Sequence, residues 1–228
     1  MPVIPQAAGP KATPWAATVA LGILAVRGNS HSTTGNFNGK LGTLSGNWNN
    51  VLQGQGIYVS GSGKTTAQSW QAGDQLRYNL SSRQFTFGTL GYLNDRFAGI
   101  VERGSEAVGY GLRLIHTPTQ EFEIAGGAGA DQERAADSRK YITQPVGVFN
   151  ARYVWDISKH ARFSQSVHVE SGGRNSFIDP ISELRLSIVG NLFAALAYEV
   201  RYNTQVPAGT LHSDSFTTIN FGYSFGKF

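Results

Sequence analysis

The nine residues 217–225 read TTINFGYSF, and they decide the fold class. Their apolar positions, Ile219, Phe221, Tyr223 and Phe225, alternate with small or polar residues. A period of two places successive side chains on opposite sides of an extended chain, so the segment predicts a β-strand with one apolar face. The same alternation recurs in three earlier stretches: 162–170, 182–188 and 196–203. The chain is therefore predicted to be all-β.

Extending this pattern along the chain gives about twelve strands. Their predicted bounds are 15–27, 33–45, 48–60, 65–80, 84–94, 105–117, 120–130, 140–156, 161–171, 178–189, 192–203 and 214–226. Globular strands usually have about five or six residues, whereas tilted membrane strands need roughly 9–11. In lipid, a sheet must close on itself so that every backbone amide is paired. We predict a transmembrane antiparallel up-and-down β-barrel.

The composition excludes several other classes of protein. Only 15% of the 228 residues are charged, against roughly 25% in soluble domains, while 40% are hydrophobic. The lack of cysteine excludes disulfide scaffolds and thiol catalysts. The longest apolar stretch, residues 15–26, is shorter than the roughly 18 residues that a membrane-spanning helix needs. The net charge of +4 is scattered, so no nucleic-acid partner is predicted.

The apolar stretch near the N-terminus also has the length of a signal-peptide core. However, the residues before it contain a single basic side chain, Lys11, and four prolines. We therefore assign it to the first strand, and we expect that Met1 stands in place of a removed targeting segment. This divides the chain into an N-terminal tail, residues 1–14, and a barrel, residues 15–228.

The connections between the predicted strands differ in length. Tight turns follow the even-numbered strands and longer connections follow the odd-numbered ones. The four longest are 95–104, 131–139, 172–177 and 204–213. Short turns on one side and longer loops on the other are typical of outer-membrane barrels. We expect a barrel in a Gram-negative outer membrane, with both termini and the tail in the periplasm.

Alternation alone does not say which face of the sheet meets lipid. A soluble barrel, apolar inside and polar outside, is the alternative, and the low charge content disfavours it. Four aromatic residues near strand ends are typical of membrane-interface girdles: Trp15, Trp48, Trp155 and Tyr202. Asp74 falls on the apolar face, so we expect either a bulge there or a position near the membrane boundary.

The polar face of three consecutive strands would line the lumen of a membrane barrel. Its titratable residues are Arg162, His168, Glu170, Glu183, Arg185, Glu199 and Arg201. The two signs nearly balance, which argues against strong ion selectivity. Eight-stranded barrels have packed interiors and 16–18-stranded barrels have aqueous channels, so twelve strands lie between. A narrow passive pore for small solutes or ions and an occluded structural or binding barrel both stay open.

A barrel lipid hydrolase is the competing class, because outer-membrane phospholipases use Ser and His on barrel strands. Ser166 and Glu170 share a face with His168, but each lies about 7 Å along the strand, where both reach it poorly. We therefore predict no catalytic residue and a hydrogen-bonding role for His168. The other histidines show no metal-ligand spacing, so neither a metal nor a cofactor is expected.

Two glycine-rich segments have alternative readings. Residues 61–66, GSGKTT, resemble a phosphate-binding loop, but Tyr58 stands where that pattern needs glycine and no helix follows. Gly109 and Gly111 belong to a cluster of small residues that continues at 125–130. We expect these glycines to curve the wall, with a gap for a ligand as the alternative.

Short motifs in a fixed order carry a family resemblance. They are Leu21-Gly22, 27–30 (RGNS), 94–99 (NDRFAG), 109–114 (GYGLRL), 162–165 (RFSQ), 169–172 (VESG), 198–203 (YEVRYN), 206–210 (VPAGT) and 223–225 (YSF). The chain resembles the YdiY-like, salt-induced outer-membrane protein family, a domain family of unknown function. The resemblance implies an outer-membrane barrel and a link to envelope stress, but no reaction.

The last strand resembles the closing strand of outer-membrane barrels, which alternates aromatic residues and ends in Phe. This resemblance implies that the barrel-assembly machinery reads Ile219, Phe221, Tyr223 and Phe225, with Phe228 a second candidate for the terminal aromatic. The other expected partners are outer-membrane lipid and lipopolysaccharide, which the predicted loops would contact. The oligomeric state stays open.

Overall fold

The structure is a computed structural model that describes residues 14–27, 32–61, 64–95, 100–135, 140–173, 175–206, 209 and 211–226. It contains twelve strands: β1 (Trp15–Arg27), β2 (Ser32–Ser45), β3 (Trp48–Gly61), β4 (Lys64–Asn79), β5 (Gln84–Asp95), β6 (Ile100–His116), β7 (Gln120–Ala135), β8 (Ile142–Ser158), β9 (Ala161–Gly172), β10 (Ser176–Val189), β11 (Leu192–Asn203) and β12 (Ser213–Gly226). Each strand pairs with its sequence neighbours, and β1 pairs antiparallel with β12 to close the sheet. The predicted twelve-stranded barrel is confirmed. No helix among the described residues is long and apolar enough to cross a membrane.

The two ends of the barrel are named by their connections. The turn end carries the connections after β2, β4, β6, β8 and β10, and the loop end carries the connections after the odd-numbered strands. The predicted tail lies outside the described residues except for Pro14, whose carbonyl accepts a hydrogen bond from the Leu44 amide.

Two of the predicted long loops are wrong, because β6 and β7 continue through much of them. Residues 100–104 and 131–135 are strand. Arg103 Nη2 lies 2.7 Å from Asp131 Oδ2, and Arg134 Nη2 lies 3.2 Å from Glu102 Oε2. Opposite charges on facing strands stabilise the strand pairing. The predicted strand bounds rest on the alternation of apolar residues, which gives no information about such charged pairs.

The barrel turns its polar face inward and its apolar face outward. The buried polar side chains are Asn36, Ser69, Gln75, Arg77, Asp95, Arg103, Arg113, Glu123, Asp131, Asn150, Arg201, Asp214 and Asn220. The exposed side chains include many large apolar ones, such as Leu21, Ile23, Leu90, Val108 and Phe221. A soluble barrel would show the reverse, so this arrangement is that of a transmembrane barrel.

Aromatic side chains lie on the outward face near both ends. Trp15, Trp48 and Trp155 are at the turn end, Tyr202 is at the loop end, and all four are between 39% and 48% exposed. The Trp48 ring packs 4.8 Å from Tyr78. The four closing-strand residues Ile219, Phe221, Tyr223 and Phe225 are also outward and exposed, while Phe228 lies outside the described residues.

Asp74 breaks the apolar surface without breaking the sheet. Its pairing with Leu52 on β3 and Leu90 on β5 is in regular register, so the expected bulge is wrong. On β4 it lies halfway between two outward aromatic residues, Trp70 and Tyr78. The acid is therefore on the lipid-facing side, well inside the aromatic positions of its own strand.

Inward-facing glycines make room for aromatic rings. A Cβ atom on Gly111 would lie 2.2 Å from Phe85 Cζ, and one on Gly109 would lie 2.6 Å from Phe87 Cζ. Both phenylalanines are almost fully buried. The space beside these two glycines is therefore filled by the protein's own side chains, and the alternative of a ligand gap there is wrong.

Candidate functional site

The seven residues predicted to line the lumen lie on the inward face of β9, β10 and β11. His168 faces the buried Asn150 across the β8–β9 pair, which fixes the inward phase of β9. Arg162 pairs in register with Arg185, and Arg185 with the buried Ala195, so the inward phase continues across the next two strands.

Arg201 links opposite walls of the barrel at the loop end. Its Nη1 donates a hydrogen bond of 2.9 Å to Asp95 Oδ2, and its Nε lies 2.5 Å from Glu199 Oε1. Arg201 is on β11 and Asp95 is on β5, six strands away in a ring of twelve. Both side chains are almost fully buried.

This contact shows that the cross-section is narrowed between β5 and β11. Twelve strands about 4.8 Å apart and tilted by about 40° would form a circular ring roughly 24 Å across. An arginine and an aspartate side chain together cannot reach across such a gap. The two walls therefore approach each other at the loop end, and the ion pair of Arg201 and Asp95 spans the remaining distance between them.

A second network joins neighbouring parts of the wall at the loop end. Arg103 on β6 contacts Asp131 on β7 at 2.7 Å and also contacts Glu170 on β9. Glu170 Oε1 in turn lies 3.0 Å from His168 Nε2, while His168 Nδ1 lies 2.6 Å from Asn150 Oδ1. The prediction that Glu170 reaches His168 poorly is wrong, because the two side chains lean towards each other along the strand.

The surroundings of His168 do not form a hydrolase site. Both ring nitrogens contact Asn150 and Glu170, and neither contacts a serine. A serine nucleophile needs its base within hydrogen-bond reach. The imidazole also faces the lumen, whereas a lipid substrate would approach from the outside.

Near the turn end, part of the lumen is filled by a cluster that the sequence analysis missed. Glu123 accepts hydrogen bonds of 2.9 Å from Arg77 Nη1 and from Arg113 Nε. The Arg77 guanidinium lies 3.8 Å from the centroid of the Phe85 ring, which is 1% exposed. The inward phases of β4 and β6 would have found the two arginines, but their contacts across the lumen leave no local sequence signal.

The other wall of the turn end is more open. Arg185 stacks its guanidinium 3.5 Å from the Phe193 ring and contacts Ser224, and Arg162 pairs with Asp156. Lys40, on the inward phase of β2 with Asn36, is exposed. An exposed inward side chain requires unfilled space beside it, so the lumen is not packed throughout at this level.

The described residues contain no group of three or more histidine, aspartate or glutamate side chains arranged to hold a metal ion.

In the phosphate-loop-like segment, residues 62–63 lie outside the described residues and the chain continues from Lys64 as β4. The helix that a phosphate-binding loop requires is absent there.

The family described as "Protein of unknown function, DUF481" matches residues 19–225. The chain belongs to this family. The predicted family resemblance is thereby confirmed. This DUF481 chain is also 29% identical to the uncharacterized protein YdiY of Escherichia coli (strain K12) over 174 residues, which cover 76% of this chain and 68% of YdiY.

Solved structures with the DUF481 chain's architecture are far more distant in sequence. The NanC porin superposes with a TM-score of 0.61 at 11% identity, covering 90% of this chain and 98% of NanC. The KdgM porin, solved in complex with disordered oligogalacturonate, gives 0.52 at 9% identity, covering 91% and 99%. The translocator domain of the autotransporter NalP from Neisseria meningitidis gives 0.52 at 11% identity, covering 94% and 90%. At these identities the similarity establishes the barrel fold.

Proposed function

We propose that this barrel lies in a Gram-negative outer membrane, with both termini in the periplasm, and forms a narrow passive passage for small solutes or ions. The passage is constricted at the loop end by the ion pair of Arg201 and Asp95. Support for the location comes from the apolar outer surface and from the porin architecture of its neighbours.

The single observation that carries the proposal is the contact of Arg201 with Asp95 across the barrel. The inward face also carries buried apolar side chains, such as Phe87, Val148 and Phe216, but at the loop end it is charged side chains that meet across the lumen. Here two charged side chains meet in the middle of the constriction, and small motions of either one would change its width. Inward space beside Lys40 continues the path towards the turn end.

The alternative is an occluded barrel with a structural or binding role. It is favoured by the Phe85 cluster of Arg77, Arg113 and Glu123, which fills one side of the lumen. In that case the connections at the loop end would contact lipopolysaccharide or another partner. A non-enzymatic role is part of both proposals, since His168 has no serine partner.

Single-channel conductance of the refolded protein in a planar bilayer tests the passage. The wild type should give small discrete steps. The double variant Arg201→Ala/Asp95→Ala should give larger steps, because it removes both halves of the constriction without leaving either of these two charges unpaired. Arg185→Ala, which removes a side chain from the more open wall of the turn end, should change the steps less.

Leu196→Ala is the matched control, because Leu196 is outward and exposed on the same strand as Arg201. Folding of each variant is verified by the heat-dependent shift in gel mobility that closed barrels show. A silent wild-type barrel that is fully folded would overturn the passage and favour the occluded alternative.

A further inference from the structure

The inward charges are segregated along the barrel axis. In the half of each strand nearer the loop end, the described inward carboxylates are Asp95, Asp131, Glu133, Glu170, Asp179, Glu199 and Asp214. The described inward arginines in that half are Arg103 and Arg201. Carboxylates therefore outnumber fixed positive charges at this end, and the loop half of the lumen is acidic.

The turn half has the opposite balance. Its described inward cations are Lys40, Arg77, Arg113, Arg152, Arg162 and Arg185. Its described inward carboxylates are Glu121, Glu123, Asp156 and Glu183. The near balance of signs among the predicted lumen residues of β9, β10 and β11 thus conceals an acidic half and a basic half in series.

We infer that the lumen conducts ions asymmetrically, with the larger current when the loop end is at the more positive potential. This inference rests on the proposed function, since a sealed barrel carries no current. Rings of carboxylates favour cations and rings of Lys or Arg favour anions. With that polarity, cations enter through the acidic half while anions enter through the basic half, so both accumulate where the halves meet.

Reversing the voltage reverses both flows. Cations would then have to enter through the basic half and anions through the acidic half, and the zone between them becomes depleted of carriers. The lumen is narrow at the constriction formed by Arg201 and Asp95, which keeps ions close to the fixed charges. At about 0.1 M salt the Debye length is about 10 Å, comparable with the half-width of the barrel, whereas at about 1 M it is about 3 Å.

The test compares currents at equal positive and negative voltages across an oriented bilayer. Because the chain lacks cysteine, the single variant Gln205→Cys marks the loop end for a bulky thiol reagent added to one chamber. At about 0.1 M salt we expect a current ratio of at least about twofold in the stated direction. At about 1 M salt the ratio should fall towards one, because the fixed charges are screened.

Two variants should weaken the asymmetry from opposite ends: Glu133→Gln/Asp214→Asn in the acidic half and Lys40→Gln/Arg162→Gln in the basic half. Glu106→Gln is the matched control, since Glu106 lies on the outward face of β6 opposite Leu90. It removes the same charge as Glu133→Gln and should leave the ratio unchanged.

The outcomes separate this inference from the proposed function. Clear conductance steps with equal currents in both directions, or with the opposite asymmetry, would overturn the inferred asymmetric conduction. The proposal that the barrel forms a passage would still stand. Silence from a folded barrel would overturn both. An asymmetry of the expected sign that survives both pairs of lumen variants would also overturn the inference, because the charges would then not be its cause.

Discussion

Asn50 donates a hydrogen bond of 2.7 Å to the carboxylate of Asp74 on the outward face of the barrel. Asp74 is flanked by Leu52 and Leu90 on the two adjacent strands. A charged side chain on the lipid face is destabilising, to a degree that grows with its depth. The amide of Asn50 supplies one of the hydrogen bonds that lipid cannot.

We expect the double variant Asp74→Leu/Asn50→Leu to be more stable than the wild type, by about 1–2 kcal/mol, because it restores a continuous apolar surface. The measurement is equilibrium unfolding by urea in lipid vesicles. The control Asp156→Leu removes an acid from the inward face, where it pairs with Arg162, and should lower stability. A decrease for the outward variant would show that the polar pair has a role that outweighs its cost in lipid.

The small residue at position 111 is required by the Phe85 ring. Gly111→Val places side-chain atoms where that ring lies, and overpacking of this kind costs about 1–3 kcal/mol or more. Adding Phe85→Leu should recover part of the loss, which unfolding of the double variant measures. At Gly56 a Cβ atom would have nothing within 4 Å, so Gly56→Val should be neutral or stabilising. Equal losses at the two positions would contradict this explanation.

The carboxylate of Glu123 holds two buried arginines, Arg77 and Arg113. Removing one partner from a buried ion pair costs about 3–5 kcal/mol, so Glu123→Gln should strongly lower the free energy of unfolding. The outward Glu106→Gln, measured alongside, should not lower it. If Glu123→Gln were tolerated, water in the lumen would have to be solvating both guanidinium groups.

The aromatic side chains at the two ends predict the depth of the barrel in the membrane. In single-tryptophan variants that retain Trp15, Trp48 or Trp155, with the other tryptophans replaced by Phe, fluorescence should be quenched most by lipids brominated near the headgroup. Stronger quenching of Trp48 by deep bromines would place the aromatic residues of the turn end inside the apolar layer.

The outward aromatic residues of β12 test the proposed recognition by the barrel-assembly machinery. Phe225→Ala should reduce the amount of folded barrel in the outer membrane of cells several-fold, yet leave refolding in vesicles nearly unchanged. Phe37→Ala removes a similarly exposed outward phenylalanine from β2 and should leave assembly in cells unaffected. If Phe228→Ala has the larger effect in cells, Phe228 is the terminal aromatic instead.

The strands could be predicted from the sequence because alternation is a local property. The bounds of β1, and those of β11, agree with the predicted ones at both ends. The contact of Arg201 with Asp95 could not be predicted, because it joins residues 106 positions apart on opposite walls. It depends on how the cross-section is flattened, and alternation carries no information about that shape.

The separation of inward charges into an acidic and a basic half could have been predicted from the sequence, but the sequence analysis did not identify it. The predicted lumen residues of β9, β10 and β11 include three arginines and three glutamates, so their charges balance when their positions along the barrel axis are ignored. Since strand direction reverses at each turn, Arg162 near the start of β9 and Arg185 near the end of β10 lie at the same height. Assigning each inward charge to the loop or turn half of its predicted strand would have revealed the two halves.

The seam between β1 and β12 brings Ala16 into register with Gly226. The first strand therefore stays an unpaired edge until the last strand has been synthesised and delivered, and closure depends on the contact that is most distant in sequence. Folding rates fall as contacts become less local, so this barrel should close late and cooperatively. An edge left open for that long can pair with other chains, so binding of the unfolded chain by a chaperone should reduce its aggregation.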